Sequence, residues 1–324
     1  MKKVIGIGNA LVDVLVQLND EAILSQYQLP KGGMQLIDFA TAQQLGKQLE
    51  SLPKSFVSGG SAANTICGLA SLGVDTAFVG KVCNDEYGKQ YTQNLVSWGV
   101  KPLMIEGNNM SGFCTALISP DGERTMATFL GAAAELKDIE INDDIFSGYD
   151  ILHVEGYLLQ NHALMKTILQ KAKNNGWEIA LDMASFNVVE DNLEFLQQIV
   201  NEYVDIVFAN EDEAFAYTKL NSMDALNCIA QQCKIAVVKV GAKGSLVQEN
   251  DKIVSLEAFP AQRIDTTGAG DLYATGFLYG YVANFDLERS AKIASYISSM
   301  SVEVIGTKFT EQQWKQIIDT INQF

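Results

Sequence analysis

Short valine- and isoleucine-rich runs recur along the chain and predict the strands of a buried sheet. From residue 150 onward these runs alternate with segments of helical periodicity, such as 161–175 and 189–203. Apolar strands that alternate with helices are typical of a parallel sheet covered on both faces. We therefore predict a doubly wound α/β core. The runs that predict its strands are 4–8, 76–80, 150–156, 178–183, 205–210 and 235–241.

Two regions depart from this rhythm and predict a second, smaller sheet. Residues 12–39 and 102–130 contain short strand-like runs joined by turns such as that at Pro120-Asp121-Gly122. Each region branches from the core after a predicted strand, so the small sheet would be discontinuous in sequence. We expect it to form a lid over the core, within one domain that spans residues 1–324.

Composition and charge narrow the classes of partner. The chain has 324 residues, of which 48% are hydrophobic, and its 39 acidic and 23 basic residues leave a net charge of −16. That charge repels polyphosphates and anionic membranes, which argues against a nucleic-acid or membrane partner. No run of 18 apolar residues predicts a membrane-spanning helix. Asn9 and Asp13 interrupt the N-terminal apolar run, so it predicts a strand rather than a secretion signal. The five cysteines lack CxxC spacing and indicate free thiols in a cytoplasmic, reducing setting.

The familiar nucleotide-binding signatures do not fit this sequence. The stretch "GIGNAL" at 6–11 has Leu11 where a dinucleotide-binding loop needs its third glycine. No Gly-Lys pair is followed by serine or threonine, so the phosphate loop of the P-loop enzymes is also excluded. Two histidines are too few for a zinc centre or a serine-histidine-aspartate triad to be favoured. A nucleotide would therefore have to be bound in another way.

The stretch "IDTTGAGDLYAT" at 264–275 predicts an anion site. Apolar residues at helical spacing follow it, which places Gly268, Ala269 and Gly270 at a helix N-terminus whose unpaired amides attract negative charge. Asp271 then lies in the first turn. One interpretation is a carboxylate that complements the helix dipole. The other is a general base that takes a proton from a hydroxyl attacking a phosphorus held in the anion site.

Polar residues in apolar surroundings predict an acceptor site. Gly60 precedes a helix in which Asn64 lies one turn from the start, where its amide has a donor and an acceptor for a sugar hydroxyl. Asp13 interrupts an apolar strand, and hydrogen bonds to two adjacent hydroxyls would satisfy its carboxylate. Asn9 follows the first predicted strand, and ligands gather at such carboxyl ends in open α/β sheets. The alternative for most of 58–73 is a tight turn into a buried helix of small residues.

Two further motifs follow core strands. Asn210 and Glu213 in "NEDE" have oxygen atoms at a spacing that would hold Mg²⁺ through its waters, although an acidic helix start explains the same letters. The glycines of "KVGAKGS" at 239–245 form either a hairpin turn or a surface against which a nucleotide lies.

Four segments in this order resemble the ribokinase or PfkB family of carbohydrate and nucleoside kinases: "GGSAAN" (59–64), "NEDE" (210–213), "VGAKG" (240–244) and "DTTGAGD" (265–271). The resemblance implies a ribokinase-like α/β fold with a β-lid, and ATP and Mg²⁺ as cofactors. It implies that Asp271 is the catalytic base, and that Asp265 and Thr267 lie where the family often binds a monovalent cation such as K⁺. The other implied roles are the anion hole at Gly268, Ala269 and Gly270, phosphate and Mg²⁺ contacts at Asn210 and Glu213, acceptor contacts at Asp13, Gly60 and Asn64, and an ATP groove along Lys239, Gly241, Ala242, Lys243 and Gly244. Asn9 is added to the acceptor contacts because of its place after the first strand.

Within the family, the lid segments at 8–16, 29–38 and 120–136 are most similar to adenosine-kinase-like members from bacteria. That similarity implies transfer of the γ-phosphoryl group to the 5′-hydroxyl of adenosine, with Leu36 and Phe129 covering the purine. The same lid aromatics would equally serve a homodimer contact or a lid core. Other acceptors stay open: ribose or fructose, inosine or guanosine, and a phosphosugar held by Lys31 and Arg124. A nucleoside-binding regulator without activity is the alternative from another class.

Overall fold

The computed structural model describes residues 1–324, and its strands form two sheets. The strands are β1 Val4–Ile7, β2 Leu11–Gln17, β3 Met34–Leu36, β4 Lys54–Gly59, β5 Thr76–Val82, β6 Lys101–Glu106, β7 Gly112–Ile118, β8 Arg124–Phe129, β9 Ile151–Glu155, β10 Glu178–Asp182, β11 Ile206–Asn210, β12 Ile235–Lys239, β13 Ser245–Glu249 and β14 Lys252–Leu256. The large sheet has the order β14-β13-β12-β11-β10-β9-β1-β5-β6, and the small sheet has the order β3-β8-β7-β2-β4.

Helices cover both faces of the large sheet, as predicted for a doubly wound fold. They are α1 Ala22–Gln26, α2 Phe39–Gln48, α3 Ser61–Ser71, α4 Glu86–Ser97, α5 His162–Asn174, α6 Phe186–Asp191, α7 Leu193–Tyr203, α8 Glu211–Thr218, α9 Ser222–Ala230, α10 Ala269–Val282, α11 Leu287–Ser301 and α12 Glu311–Ile321. Short 3₁₀ turns lie at 131–135, 138–140, 143–146, 156–160 and 241–243. No helix is both long and apolar enough to cross a membrane.

In the large sheet, seven neighbouring strands run parallel: β6, β5, β1, β9, β10, β11 and β12. At the edge beyond β12, β13 and β14 complete the sheet as antiparallel strands. Every residue of β1, β5 and β9 is buried, because apolar clusters lie on both faces of this sheet. That arrangement explains the continuous apolar runs from which the core was predicted. It also brings the carboxyl ends of five neighbouring parallel strands to one edge.

The two faces of the small sheet have different surroundings. Along β2, Val12, Val14 and Val16 are buried, while Leu11 and Asp13 alternate with them and keep partial exposure. Val14 and Val16 pack with residues of α1 and α2, so the face that carries Leu11 and Asp13 is turned toward the large sheet and the cleft. The alternation of side chains along "LVDVLVQL" therefore decides which of them face the cleft.

Two strands differ from the sequence expectation for the lid. Residues 101–106, which were expected in the small sheet, form β6 at the edge of the large sheet and pair in parallel with β5. The crossover through α4 returns the chain to the same sheet beside β5, as βαβ units do. The small sheet instead gains β4, which pairs with β2 in antiparallel fashion. Its sequence, "KSFVSG", is too polar to predict a strand.

Candidate active site

A cleft of about 1560 Å³ lies between the carboxyl ends of the parallel strands and the inner face of the small sheet. Polar side chains at or just after the carboxyl ends of five neighbouring strands, β1, β9, β10, β11 and β12, line it together, at the edge where ligands gather in open α/β sheets. These residues are Asn9, Glu155, Asp182, Asn210 and Lys239. The loop at 264–271 closes the same cleft from the side of α10. The motifs that were separate in the sequence therefore share one cavity.

The glycines of the predicted anion site lie at the start of α10. Gly268 precedes the helix with φ +71°, a left-handed conformation that favours glycine, and the helix begins at Ala269. Gly268, Ala269, Gly270 and Asp271 all line the cleft. The first amides of a helix lack partners within it and carry the positive end of its dipole. This end of α10 is therefore suited to an anionic group in the cavity.

Asp271 is held by two residues of α3. Ser61 Oγ donates to Asp271 Oδ1 at 2.7 Å, and Asn64 Nδ2 donates to Asp271 Oδ2 at 2.9 Å. Burial raises the pKa of Asp271 to about 7, and the charge of Asp182 adds to this rise, while the two hydrogen bonds and Lys239 oppose it. A carboxylate with a pKa near neutrality is well matched to accepting a proton at neutral pH. The spacing of 210 residues between Ser61 and Asp271 gave no sequence signal for this contact.

Asn64 is used differently from the expectation. Its Nδ2 bonds Asp271, and its Oδ1 accepts a hydrogen bond from Thr307 Oγ1 at 3.0 Å. Both ends of the amide are thus engaged within the protein, so Asn64 orients Asp271. Gly60 has φ +95°, and a Cβ there would lie 2.5 Å from the carbonyl oxygen of Asn9. Only glycine fits this close approach at the start of α3.

Asp13 has the unsatisfied carboxylate that the sequence predicted. It lies on the cleft face of β2 and accepts no hydrogen bond from the protein. Burial raises the pKa of Asp13 to about 7, although the positive charges of Lys308 and Arg124 oppose this rise. A buried carboxylate without donors is costly, and hydroxyl donors from a ligand would relieve that cost. Asp13 is therefore suited to bind a hydroxylated acceptor.

Asn9 lies in the cleft but is anchored by a buried acid. Glu155 accepts from the backbone N of Asn9 at 2.8 Å, from Asn9 Nδ2 at 2.9 Å and from the backbone N of Ala62 at 2.9 Å. Burial raises the pKa of Glu155, and these three donors oppose the rise. The contact ties the end of β1 to the first turn of α3.

Lys239 brings a cation to the anion site. Its Nζ is 3.0 Å from Asp182 Oδ2, and a Cβ built on Gly270 would lie 3.0 Å from the same Nζ. Burial lowers the pKa of Lys239, but the carboxylates of Asp182 and Glu213 outweigh that effect and raise the pKa above its ordinary value. Lys239 therefore remains an ammonium beside the glycines of α10.

Asn210 and Glu213 form a reciprocal cap on α8. Asn210 Oδ1 accepts from the backbone N of Glu213 at 2.8 Å, and Glu213 Oε2 accepts from the backbone N of Asn210 at 2.8 Å. Burial raises the pKa of Glu213 to about 7, and the charge of Asp182 adds to the rise while Lys239 opposes it. No group of three or more metal-binding side chains exists here. Asn210 and Glu213 both line the cleft, and the role predicted for them in holding Mg²⁺ through its waters stays a prediction.

The turn at 241–244, which was expected to lie along a nucleotide, forms part of the cleft wall. Gly241 and Gly244 have φ of +57° and +101°, and Gly241, Ala242 and Gly244 line the cleft. Ala258, Phe259 and Pro260 line the same cavity. Lys243 belongs to the turn but does not line the cleft, and its contact with a nucleotide stays a prediction.

The inner face of the lid is apolar, but Phe129 is not part of it. Alternate residues of β8 and the chain after it line the cleft: Arg124, Met126, Thr128 and Leu130. The ring of Phe129 lies instead 5.6 Å from the rings of Phe39 and Phe113. Successive side chains of a strand point to opposite faces, and Phe129 follows Thr128. Phe129 therefore points away from the cleft, contrary to the expectation that it contacts the substrate, and its aromatic neighbour Phe39 is 47% exposed. Leu36 does line the cleft, together with Leu11, Cys114, Tyr157 and Leu158.

Asp265 and Thr267 shape the loop before the anion site. Asp265 Oδ1 accepts from the backbone N of Thr267 at 3.0 Å, and Oδ2 accepts from the backbone N of Gly306 at 2.8 Å. The Arg124 Nη2 atom lies 2.8 Å from Asp265 Oδ2. The sequence gave Arg124 only as a candidate for a phosphosugar, and no local pattern pairs it with Asp265.

Comparison with known proteins agrees with this geometry. Residues 34–314 match the family described as pfkB family carbohydrate kinase. A solved adenosine kinase from Sinorhizobium meliloti is 32% identical with a TM-score of 0.89, and the match covers 99% of each chain. A probable sugar kinase from Rhizobium etli is 30% identical with a TM-score of 0.90, covering 99% of this chain and 98% of the other. Adenosine kinase from Saccharomyces cerevisiae is 25% identical, covering 95% of this chain and 96% of its own.

Proposed function

The chain belongs to the pfkB family of carbohydrate kinases, and from that premise we propose that it transfers the γ-phosphoryl group of ATP to the 5′-hydroxyl of a nucleoside, adenosine above all. The family implies a kinase that uses ATP, generally with Mg²⁺, and a small sugar or nucleoside as acceptor. The observation that carries the finer proposal is Asp271 beside the glycine amides of α10, within one cleft with an apolar lid and the unpaired Asp13.

The proposed reaction is an in-line displacement at the γ-phosphorus. Asp271 takes the proton of the acceptor hydroxyl as its oxygen forms a bond to phosphorus and the bond to the β–γ bridging oxygen breaks, with ADP as leaving group. Ser61 and Asn64 fix both carboxylate oxygens, which supports a base whose lone pair has a set direction. Protonated Asp271 then returns its proton to water as product leaves.

Charge that develops on the phosphoryl oxygens would be stabilised from the side of α10. Gly268, Ala269 and Gly270 line the cleft there, beside the ammonium of Lys239. Preorganised donors of this kind contribute most where water is excluded. Magnesium, when bound with the nucleotide, neutralises phosphate charge, and Asn210 and Glu213 are the residues we propose to orient its water ligands.

The lid supports a nucleoside as acceptor. Leu11, Leu36, Met126 and Leu130 give the cleft an apolar wall of the kind that covers a heterocyclic base. Asp13 lies on the same face, where adjacent ribose hydroxyls would satisfy its carboxylate. After Asp182 the chain continues as "MASFN" at 183–187, which has no charged side chain that would pair with a free sugar. The matched adenosine kinase from Sinorhizobium meliloti points the same way.

A free sugar such as ribose or fructose is the second candidate acceptor, and inosine and guanosine are further nucleosides to compare. The observation that favours a sugar is the polar part of the cleft, where Gln160 and Asn161 lie, together with the match to a probable sugar kinase.

The five free cysteines support the cytoplasmic setting expected from the sequence.

A panel of acceptors tests the proposal. The purified protein is incubated with Mg-ATP and adenosine, inosine, guanosine, ribose or fructose, and the phosphorylated product is measured directly by ³¹P NMR. We expect adenosine to give the highest kcat/KM. Strong phosphorylation of a free sugar with none of adenosine would refute the nucleoside assignment. Thermal stabilisation by adenosine without any phosphorylated product would indicate a binding protein instead. Asp271→Asn is the matched control for contaminating kinases.

A further inference from the structure

The carboxylate of Asp265 lies where the family resemblance implies a monovalent cation, yet the protein already supplies its partners. Its side chain is 8% exposed. Oδ1 accepts from Thr267 N, and Oδ2 accepts from Gly306 N and faces Arg124 Nη2 at 2.8 Å. Each carboxylate oxygen thus accepts one backbone hydrogen bond, and the Arg124 guanidinium lies against Oδ2 as a charge. The group does not present the open oxygens that a bound K⁺ ion would need.

The contact from Arg124 is that of a charge rather than a directed hydrogen bond. Its Nη2 lies within ion-pair distance of Asp265, but its N–H bonds are not aligned with the carboxylate oxygen. The arginine side chain is itself only 9% exposed. A delocalised guanidinium is always charged and tolerates such burial better than an ammonium. In this position it does what a bound monovalent cation would do for Asp265, which is to balance its negative charge.

The ion pair also joins two parts of the molecule. Arg124 begins β8 of the small sheet, and Asp265 lies in the loop that leads to Gly268 and α10. Asp265 connects this loop to Gly306, and the backbone N of Ile264 bonds the carbonyl of Val302 at 2.7 Å. The lid therefore provides the charge that completes the loop carrying the proposed anion site.

We propose that the Arg124 guanidinium serves as a built-in cation for the 264–268 loop, so that the protein does not require K⁺ and the loop is ordered by contact with the lid. The inference deepens the proposed kinase function and rests on it for its effect on turnover. In this scheme Arg124 is a positioning residue that acts through Asp265.

The test compares cations on wild-type and variant proteins at constant ionic strength. Turnover, the thermal midpoint and amide hydrogen exchange across 264–268 are measured in potassium chloride and in choline chloride. We expect potassium to change the wild-type rate by less than about twofold, and to raise kcat of Arg124→Ala by about fivefold or more, the lower end of a typical coupling between sites. Guanidinium ion should rescue the same variant, and Arg124→Lys should retain the wild-type indifference to potassium.

The matched control is Arg263→Gln, which removes an exposed guanidinium two residues before Asp265. The thermal midpoint of Arg263→Gln should not depend on potassium. The thermal midpoint of Arg124→Ala should be higher in potassium chloride than in choline chloride, and the 264–268 amides of that variant should exchange more slowly in potassium. A wild-type enzyme that needs potassium would overturn the inference, and so would an Arg124→Ala variant whose stability and exchange ignore it. If no acceptor is phosphorylated, the proposed function fails, and the thermal and exchange comparisons still decide the inference about the cation.

Discussion

Replacing Asp271 with asparagine tests the proposed chemistry most directly, because it removes a charge and nearly preserves the shape. Ser61 Oγ can still donate to the remaining oxygen. The new amide nitrogen would face the Asn64 Nδ2 donor, but a rotation of the Asn64 amide resolves this: its Oδ1 then accepts from the new amide, and its Nδ2 donates to Thr307 Oγ1. We therefore expect Asp271→Asn to fold and to bind both substrates.

The expected loss of rate follows from the loss of the base. A positioned general base contributes typically 10²–10⁴-fold, which is about 3–5 kcal/mol of activation free energy. The loss should appear in kcat, because the carboxylate acts on the proton in the transition state. The KM values for ATP and for the acceptor should stay near those of the wild-type protein.

Stability should change in the opposite direction. The pKa of Asp271 is about 7 in the folded protein, against 3.8 for the free side chain. A raised carboxyl pKa means that ionisation favours the unfolded chain, so the penalty is absent below about pH 4, grows up to about pH 7 and is constant above it. At 1.36 kcal/mol per pKa unit its upper bound is about 4 kcal/mol. Asp271→Asn removes this penalty, which for a chain of this length raises the thermal midpoint by a few degrees.

The assay pairs turnover with melting curves of both proteins from mildly acidic to mildly alkaline pH. The gain in thermal midpoint of Asp271→Asn over wild type should grow as the pH rises toward 7. A kcat within tenfold of wild type would refute the role of Asp271 as base. A variant that melts below the wild-type protein at alkaline pH would refute the electrostatic reasoning. Ser61→Ala is the control, because it removes one hydrogen bond to Asp271 but leaves the carboxylate that acts as the proposed base.

Three further substitutions test other parts of the site. Burial raises the pKa of Asp13 to about 7, so the acceptor KM of the wild-type protein should fall as the pH rises through neutrality. Asp13→Asn should raise that KM at least tenfold and flatten its pH profile. A flat wild-type profile would contradict this reasoning. Lys239→Met leaves Asp182 buried without its partner, so urea unfolding should show a loss of about 3–5 kcal/mol, and an unchanged midpoint would disprove the ion pair. Phe129→Leu should lower the thermal midpoint and leave the acceptor KM unchanged, whereas Leu36→Ala should raise that KM; the reverse result would show that the two faces of the lid are misassigned.

The sequence predicted the features that depend on local patterns. Buried strands such as β9 and β11 have continuous apolar runs, and α10 follows small residues with apolar positions at helical spacing. Gly268, Ala269 and Gly270 lie at the start of that helix, as the helical spacing of the residues after them predicted. These elements were accessible because each is decided by neighbours along the chain.

Features that depend on distant contacts were not accessible. β4 is polar and half exposed, and it is a strand only because β2 offers an edge for pairing. The error at Phe129 came from naming the aromatic residue rather than its neighbour Thr128, since a shift of one residue along a strand reverses the face. Arg124 and Asp265 are 141 positions apart in the sequence, and they form an ion pair only when the lid is in place.

The connection from β4 to α3 bears on how relatives with other acceptors arise. β4 is an edge strand of the lid, and it runs through Gly59 and Gly60 directly into the turn where Ser61 and Asn64 hold Asp271. A side chain at Gly59 would collide with the carboxylate of Asp13. Remodelling the lid for a new substrate thus displaces the partners of the proposed base as well. Grafts of a lid from one relative onto the core of another should therefore carry residues 54–64 as one unit, because a junction inside that segment would separate substrate choice from catalytic power.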